Sequence, residues 1–421
     1  MSLEAAHPIT SELKKMASPP TELDVGKSAS IYDSHILVVD DSALIRELIG
    51  ACLMSAGYTK IQYAVDGKNA LEVIKDNVPD LIILDLEMPV MDGFELCKQL
   101  RAQPETKSLP ILIQSGRDTA ADITRAFEYG ASDMVVKPVK KYEILARTKV
   151  HLENKIFVAK LTAFHDRVAS ELEQARHLQL DICPTPAELD SYRDNFGLDI
   201  GWHYEPSSEL GGDIGGILPI SKNKIAFYIA DFSGHGVAAA LNTFRLQTWL
   251  SAAHHLYQQP DTLLSELNNF LNRNLPSGSY ATMMFFCLDI EKQELTYSAA
   301  GSQPPLMQIP NQAQDFHLCS SKGMPLGLRA GWEYSLIKLP FKINSKLMLY
   351  SDALVEVCTK TGEFLGDEGL RDEVSHIWQE GIAPDAILSQ LVSRFHHRLG
   401  TGAADDLTII YLENKGHKGH E

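Results

Sequence analysis

The stretch from Ile36 to Ser42 reads ILVVDDS and decides the first fold of the chain, because an apolar run ends there in two aspartates. Three later runs have the same form: LIIL before Asp85, ILIQ before Ser115 and MVV before Lys137. Apolar runs that alternate with helical segments, such as Leu44–Met54, are typical of a parallel α/β sheet. We therefore predict such a domain over residues 35–150.

The polar residues that end these runs form one candidate site. Ligand sites of open α/β sheets lie at the carboxyl ends of the strands, so these residues should converge. Neighbouring carboxylates suit Mg²⁺, a carboxylate can attack phosphorus, and a lysine and a hydroxyl can neutralise phosphoryl oxygens. Any one of the residues alone could simply cap a strand, but together they predict a phosphoryl pocket. Its members are Asp40, Asp41, Asp85, Ser115 and Lys137.

The segments ILVVDDS, LIILDLEMPVMDG, ILIQSG and MVVKP resemble the receiver domains of response regulators. The resemblance implies a doubly wound domain with a parallel five-stranded sheet, in which Asp85 accepts the phosphoryl group. It also implies one magnesium ion held with the help of Asp40 and Asp41, a sensing role for Ser115, and Lys137 paired with the phosphoryl group. An upstream histidine kinase would be the phosphodonor. Met134 departs from the family, which usually has Tyr or Phe there.

Residues 151–185 carry an apolar stripe with spacings of three and four, which predicts a helical linker. Two interpretations are open: a helix packed on its own domain, or a coiled coil that pairs two chains. We favour the coiled coil, and hence a homodimer, because the stripe joins two domains. Pro184 and Pro186 should mark its end. Four stripe residues are seven apart, as pairing requires: Leu161, Val168, Ala175 and Ile182.

Residues 186–415 alternate strand-like runs, such as Ile225–Ala230, with helical runs, such as Ala238–His255. This pattern predicts an α+β sandwich of sheets flanked by helices. Its aspartates adjoin glycines or strand ends, where oxygen ligands suit two magnesium or manganese ions that activate one water. The sequence has no serine nucleophile elbow and no HExxH, which argues against a serine hydrolase or a zinc peptidase. The candidate ligands are Asp213, Asp231, Asp352, Asp405 and Asp406.

The segments ARHLQLDICP, LGGD, ADFSGHG, AGSQPPL, GMPLGL, YSDALVE and DDLT resemble the metal-dependent PPM phosphatases, closest to their SpoIIE-like branch. The resemblance implies a PPM β-sandwich flanked by helices, with Asp213 and Asp231 catalytic. Asp231 would bridge both metals, with the Phe232 carbonyl assisting one of them. Asp213 would bind one metal, and Asp352 and Asp405 the other. Asp406 is the alternative to Asp405.

The same resemblance implies hydrolysis of phosphoserine or phosphothreonine on a protein in a partner-switching pathway. The substrate would be a phosphorylated STAS-domain anti-sigma factor antagonist. Three positions depart from the family pattern: Gly216 replaces a second acidic residue, Ser302 replaces a histidine, and Ala353 replaces a glycine. One alternative is a pseudophosphatase adaptor that binds a sigma-factor or anti-sigma-system partner without catalysis. A cyclic-nucleotide or cyclic-dinucleotide enzyme is disfavoured because no GGDEF-like sequence follows the single GGD.

The net charge of the chain excludes some classes of binding partner. The chain has 421 residues and a formal net charge of −17, and an acidic surface repels nucleic acids and anionic membranes. No apolar stretch is long enough to span a bilayer. The six cysteines form no CxxC pair, which argues against a zinc site. Residues 1–34 have no apolar core, so we expect a disordered tail there rather than a secretory signal. We expect a cytoplasmic protein with a short tail at 416–421.

Overall fold

The computed structural model describes residues 30–116, 120–234, 236–310, 316–357, 364–379, 384–399 and 405–416. The chain divides into two compact units, Met1–Arg167 and Val168–Glu421. The predicted tails lie almost wholly outside the described residues, so both stay predictions.

The first unit is the doubly wound domain that the sequence predicts. Its parallel strands have the order β2-β1-β3-β4-β5. Successive strands are therefore added first on one side of β1 and then on the other, so the strand order reverses beside β1. The strands are β1 His35–Val39, β2 Lys60–Ala64, β3 Leu81–Asp85, β4 Ile111–Ser115 and β5 Asp133–Val136. The helices between them are α1 Ala43–Ser55, α2 Gly67–Asp76, α3 Gly93–Ala102 and α4 Ala120–Glu128.

Burial explains which strands can be predicted from apolar runs in the sequence. Strands β1, β3 and β4 are buried at every position because helices cover both faces of the sheet. Strand β2 lies at the edge, and only Ala64 of its five residues is buried. It therefore has no continuous apolar run, and the apolar runs alone do not reveal it.

A single helix, α5 Lys141–Leu180, contains 40 residues and confirms the helical linker. Its first turns belong to the first unit, where Ile144 and Leu152 are fully buried in the core. Lys155 adds an ion pair with Asp80, with 2.8 Å between Nζ and Oδ1. Beyond that point the stripe is exposed: Phe157 by 66% and Leu161 by 57%.

The second unit is a sandwich of two antiparallel sheets, ordered β13-β10-β9-β8-β7 and β12-β11-β14-β15-β6. Strands of the first sheet are β7 Asp213–Ser221, β8 Lys224–Phe232, β9 Ala281–Asp289, β10 Glu294–Ala300 and β13 Ile337–Pro340. Strands of the second sheet are β6 Leu198–Glu205, β11 Leu306–Gln308, β12 His317–Leu318, β14 Lys346–Tyr350 and β15 Leu407–Asn414. The helices are α6 Pro186–Phe196, α7 Val237–Ala252, α8 Pro260–Asn274, α9 Gly366–Gln379 and α10 Pro384–Leu399.

Three apolar cores hold the sandwich together. The inner core joins the sheets through side chains such as Phe227, Phe286 and Ile410. Residues of α7 and α8 pack on the outer face of the first sheet, and residues of α9 and α10 on the outer face of the second. The predicted α+β sandwich flanked by helices is confirmed.

Candidate active site and receiver pocket

The first unit brings its predicted polar residues to one edge of the sheet. Lys137 Nζ lies 2.7 Å from Asp85 Oδ2 and 3.2 Å from Asp40 Oδ2. Carboxylate oxygens of Asp40, Asp41 and Asp85 lie within 4.8 Å of one another. Ser115 ends β4 at the same edge and is buried. The five residues therefore meet as their positions at strand ends predict.

Charge and burial oppose each other in this pocket. Burial raises the pKa of Asp40, and the backbone N–H of Ser42 and the charge of Lys137 offset this only in part. Burial alone would lower the pKa of Lys137, but its hydrogen bond to Asp85 and the charges of Asp85 and Asp40 raise it overall. Lys137 thus pairs with two of the three clustered carboxylates, Asp40 and Asp85, and the cluster could also hold a divalent cation.

In the second unit, the strand register brings two candidate ligands together. Asp213, the first residue of β7, pairs directly across the sheet with Asp231 near the end of β8. Asp352 follows β14 at the start of a short 3₁₀ turn, and Asp405 precedes β15. Asp213, Asp231 and Asp352 line one cavity of about 270 Å³ at this end of the sandwich.

The electrostatics of these aspartates indicate a concentration of negative charge. Burial raises the pKa of Asp231 to about 7, and the charges of Asp352, Asp405 and Asp406 act in the same direction. Burial and the charge of Asp231 likewise raise the pKa of Asp213. A buried carboxylate beside half-buried ones needs a positive partner. Divalent cations with oxygen ligands fit this set of donors.

Asp406 has a different environment from Asp405. One oxygen of its carboxylate accepts the backbone N–H of Ser207 at 2.7 Å, and the other accepts those of Gly212 at 2.5 Å and Asp213 at 3.3 Å. Asp406 is also buried, whereas Asp405 is exposed. The backbone bonds occupy the Asp406 carboxylate, so the geometry favours Asp405 as the ligand.

The packing around Gly212, the residue before Asp213, leaves no room for a side chain at that position. A Cβ at Gly212 would lie 2.9 Å from the carbonyl oxygen of Phe232. The N–H of Phe232 in turn donates to the Gly212 carbonyl at 3.2 Å. Glycine here lets the Phe232 backbone approach the start of β7, so the predicted carbonyl ligand lies beside Asp213.

Packing accounts for the first of the three departures. A Cβ at Gly216 would lie 2.5 Å from the ring of Tyr228, which is fully buried and donates to Gln247 at 2.7 Å. An acidic side chain therefore has no space at this position.

The other departures have different surroundings. Ser302 lines the cavity, and its buried Oγ has no hydrogen-bond partner among the described residues. Ala353 is itself a buried residue of the 3₁₀ turn. Met134 is buried in the core of the first unit.

Several residues of this site were missed by sequence reasoning. Thr408 donates to Asp213, with 2.6 Å between Oγ1 and Oδ2. Ser351 accepts the backbone N–H of Thr408 at 2.9 Å and donates to the Asp406 carbonyl at 2.9 Å. Ser351 directly precedes Asp352 in YSD, and Thr408 lies two positions after Asp406 in DDLT. This closeness to the motif aspartates was the signal that could have identified them. Gln179 at the end of α5 lies within the segment ARHLQLDICP, but no aspartate of the proposed metal site stands beside it in the sequence.

Comparison with known proteins agrees with this geometry. The family model of the response regulator receiver domain matches residues 36–149, and that of Stage II sporulation protein E (SpoIIE) matches residues 221–415. The chain carries a receiver domain and a SpoIIE-type domain with the PP2C phosphatase fold. Within the described residues, no helix is long and apolar enough to cross a membrane.

Individual relatives cover different parts of the chain. Regulator of RpoS from Escherichia coli K12 is 29% identical over an alignment 318 residues long, and the match covers 70% of this chain and 88% of that protein. Response regulator MprA from Mycobacterium sp. strain KMS is 40% identical over 118 residues, and the chain spans half of its length. The SiaA-PP2C domain of Pseudomonas aeruginosa aligns with a TM-score of 0.50 at 16% identity, covering 60% of this chain and 98% of that domain. At this identity the likeness shows the fold alone.

Proposed function

We propose that this protein is a metal-dependent serine/threonine phosphatase whose activity is set by phosphorylation of Asp85. The observation that carries the proposal is the set of aspartates at one end of the sandwich. The carboxylate charges of Asp352 and Asp405 both act on Asp231, which pairs with Asp213 across the sheet. Selection for fold stability alone would not favour one buried and two half-buried carboxylates that repel one another.

The proposed ligands divide between two magnesium or manganese ions. Asp231 would contact both, Asp213 and the Phe232 carbonyl one, and Asp352 and Asp405 the other. When bound, such a pair supplies a water of lowered pKa and neutralises charge on the phosphoryl oxygens. The chain itself orients the ligands: Thr408 fixes the Asp213 carboxylate, and Asp406 fixes the backbone before it.

The receiver would accept its phosphoryl group from an upstream histidine kinase. The Asp85 carboxylate would attack the phosphorus, and the bond from phosphorus to the donor nitrogen would break. Lys137, already 2.7 Å from Asp85, would pair with the transferred group, and Ser115 would contact it. Asp40 and Asp41 would hold one magnesium ion beside it, as their shared position with Asp85 allows.

The proposed substrate is a phosphorylated STAS-domain antagonist of an anti-sigma factor. Polar side chains besides the aspartates line part of the cavity: Ser302, Tyr280 and Thr282. A cavity of about 270 Å³ is large enough for a phosphorylated side chain but not for a folded domain, so the remaining contacts would lie outside it. The acidic chain, at −17, argues against nucleic acid or a membrane as partner.

A second function has one observation in its favour. The relative from E. coli that aligns with 70% of this chain is named for regulation of RpoS, and that name states no hydrolase activity. This chain could likewise act as an adaptor that binds a sigma-factor or anti-sigma-system partner without catalysis. The two functions differ in one measurable property, because only the phosphatase needs its metals.

The deciding experiment compares the wild type with Asp231→Ala. We expect the wild type to hydrolyse a small phosphate ester in the presence of Mn²⁺, and the variant to lose both this activity and Mn²⁺ binding measured by calorimetry. Circular dichroism checks that the variant stays folded. A wild type that binds no Mn²⁺ and releases no phosphate would favour the adaptor instead.

A further inference from the structure

The last turns of α5 make a specific contact with the segment that carries Asp213. Gln179 is only 4% exposed. Its Nε2 donates to the Gly211 carbonyl at 2.7 Å, and its Oε1 accepts the Gly211 N–H at 3.1 Å. Nε2 also lies 3.4 Å from Oγ1 of Thr243 on α7. One side chain thus satisfies both backbone groups of a single residue.

Gly211 stands two positions before Asp213, in a segment held from two sides. On one side, Asp406 accepts the N–H groups of Gly212 and Asp213. On the other side, Gln179 holds Gly211. The segment cannot easily shift between them, because a Cβ at Gly211 would already lie 2.5 Å from the Tyr204 hydroxyl and 2.7 Å from Asp406 Oδ2. The position of Asp213 is therefore tied to the position of α5.

We infer that Gln179 is a positioning residue that fixes the Gly211–Asp213 segment against the end of α5. This inference rests on the proposed function where it concerns metal binding. Gln179 contacts no proposed ligand directly and acts through the Gly211 backbone. Because α5 is continuous from Lys141 to Leu180, a rotation or shift of its last turns would move the Gln179 amide away from Gly211 and release the Asp213 segment.

A purely structural role makes a different prediction. If Gln179 only filled the core, its loss would lower the stability of the whole second unit and leave the metal affinity of folded molecules unchanged. A positioning role predicts a local effect: faster opening of residues 209–214 and weaker metal binding, with the rest of the unit unaffected. Backbone hydrogen exchange and metal titration separate these outcomes.

The test compares Gln179→Met with Gln174→Met. Both replace a glutamine of α5 by a side chain of similar length without hydrogen-bonding groups, but Gln174 is exposed. In metal-free protein we expect exchange of the Gly211–Asp213 amides to be about tenfold faster in Gln179→Met and unchanged in Gln174→Met. We expect the Mn²⁺ concentration for half-maximal binding, measured by calorimetry, to rise about tenfold in Gln179→Met alone.

Thr243→Val is a milder variant if Gln179→Met does not fold, because valine keeps the shape of threonine but accepts no hydrogen bond from Gln179. A smaller increase in exchange of the same amides is expected. Exchange and Mn²⁺ binding that are equal in the Gln179 and Gln174 variants would overturn the inference. A wild type that binds no Mn²⁺ would instead refute the proposed function, and the exchange rates would then decide the inference alone.

Discussion

The hydroxyl of Thr408 donates a hydrogen bond to the carboxylate of Asp213, with 2.6 Å between Oγ1 and Oδ2. Thr408 lies on β15 of one sheet and Asp213 on β7 of the other, and both are buried. The bond therefore joins the two sheets of the sandwich at the proposed metal site. Since it also opposes the rise in the pKa of Asp213, it favours the charged form that a metal requires.

Thr408→Val should weaken metal binding while leaving the fold intact. Valine keeps the shape of threonine but removes the donor, which costs about 1.5–3 kcal/mol for a hydrogen bond to a charged group. We expect the apparent affinity for Mn²⁺ to fall by about tenfold or more, measured by calorimetry. Thr296→Val is the matched control, because Thr296 donates to a backbone carbonyl on the neighbouring strand, away from the aspartates. An equal loss in both variants would mean that the effect is not specific to Asp213.

The stability of the metal-free protein should fall as pH rises. The pKa of Asp231 is about 7 in the folded protein, above its ordinary value of 3.8, so the folded state binds this proton more tightly than the unfolded state does. The resulting stabilisation is complete below pH 3.8 and is lost as pH rises towards 7.

The measurement is urea unfolding of the wild type and Asp231→Asn between pH 5 and pH 7. The free energy of unfolding should fall more steeply in the wild type, by up to about 1.4 kcal/mol per pH unit. Mn²⁺ at neutral pH should restore stability in the wild type and much less in the variant, because asparagine is a weaker ligand. Parallel pH profiles of the two proteins would contradict the raised pKa of Asp231.

The receiver should take up one phosphoryl group, on Asp85. Incubation with a small phosphodonor and Mg²⁺ should add a single acid-stable but base-labile group, seen in the intact mass. Asp85→Asn should add none, because the amide is a poor nucleophile. Asp76→Asn is a suitable control, since Asp76 lies at the end of α2 and outside the group of three carboxylates. Phosphoryl uptake by Asp85→Asn would show that the acceptor is another residue.

The exposed stripe on α5 should mediate pairing of two chains. Leu161 and Phe164 are 57% and 54% exposed, so replacing both with Asp changes contacts within one chain very little. We expect the wild type to be a dimer by light scattering, and the double variant to be a monomer that no longer responds to phosphodonor in the phosphatase assay. Ala159→Asp with Thr162→Asp places the same charges on the opposite side of the helix and should remain a dimer.

A monomeric wild type would exclude the coiled coil and would leave the helix as a connection within one chain. A dimer that survives in the Leu161 and Phe164 variant would place the pairing surface elsewhere. Either result is independent of the phosphatase assay, since light scattering needs neither metal nor substrate.

Burial decided how much of the fold could be predicted from the sequence. Runs such as LIIL carry their own signal because helices cover both faces of a central strand. The edge strand Lys60–Ala64 does not, because most of it faces solvent. The stripe after Phe157 predicted the linker helix. Its continuity with the last helix of the receiver was not evident from the stripe, because the buried residues at the two ends of α5 belong to different units.

The sequence by itself was enough to predict the two folds, which the structure confirms, and to propose a chemical class for each site, since apolar periodicity and aspartates at strand ends are local properties of the chain. Only the tertiary structure favours Asp405 over Asp406 as the proposed ligand, because three backbone N–H groups donate to the Asp406 carboxylate. It also explained Gly216 through the ring of Tyr228. The bonds from Thr408 to Asp213 and from Gln179 to Gly211 join residues 195 and 32 positions apart. No local pattern encodes such contacts, because they form only when the sheets and α5 pack together.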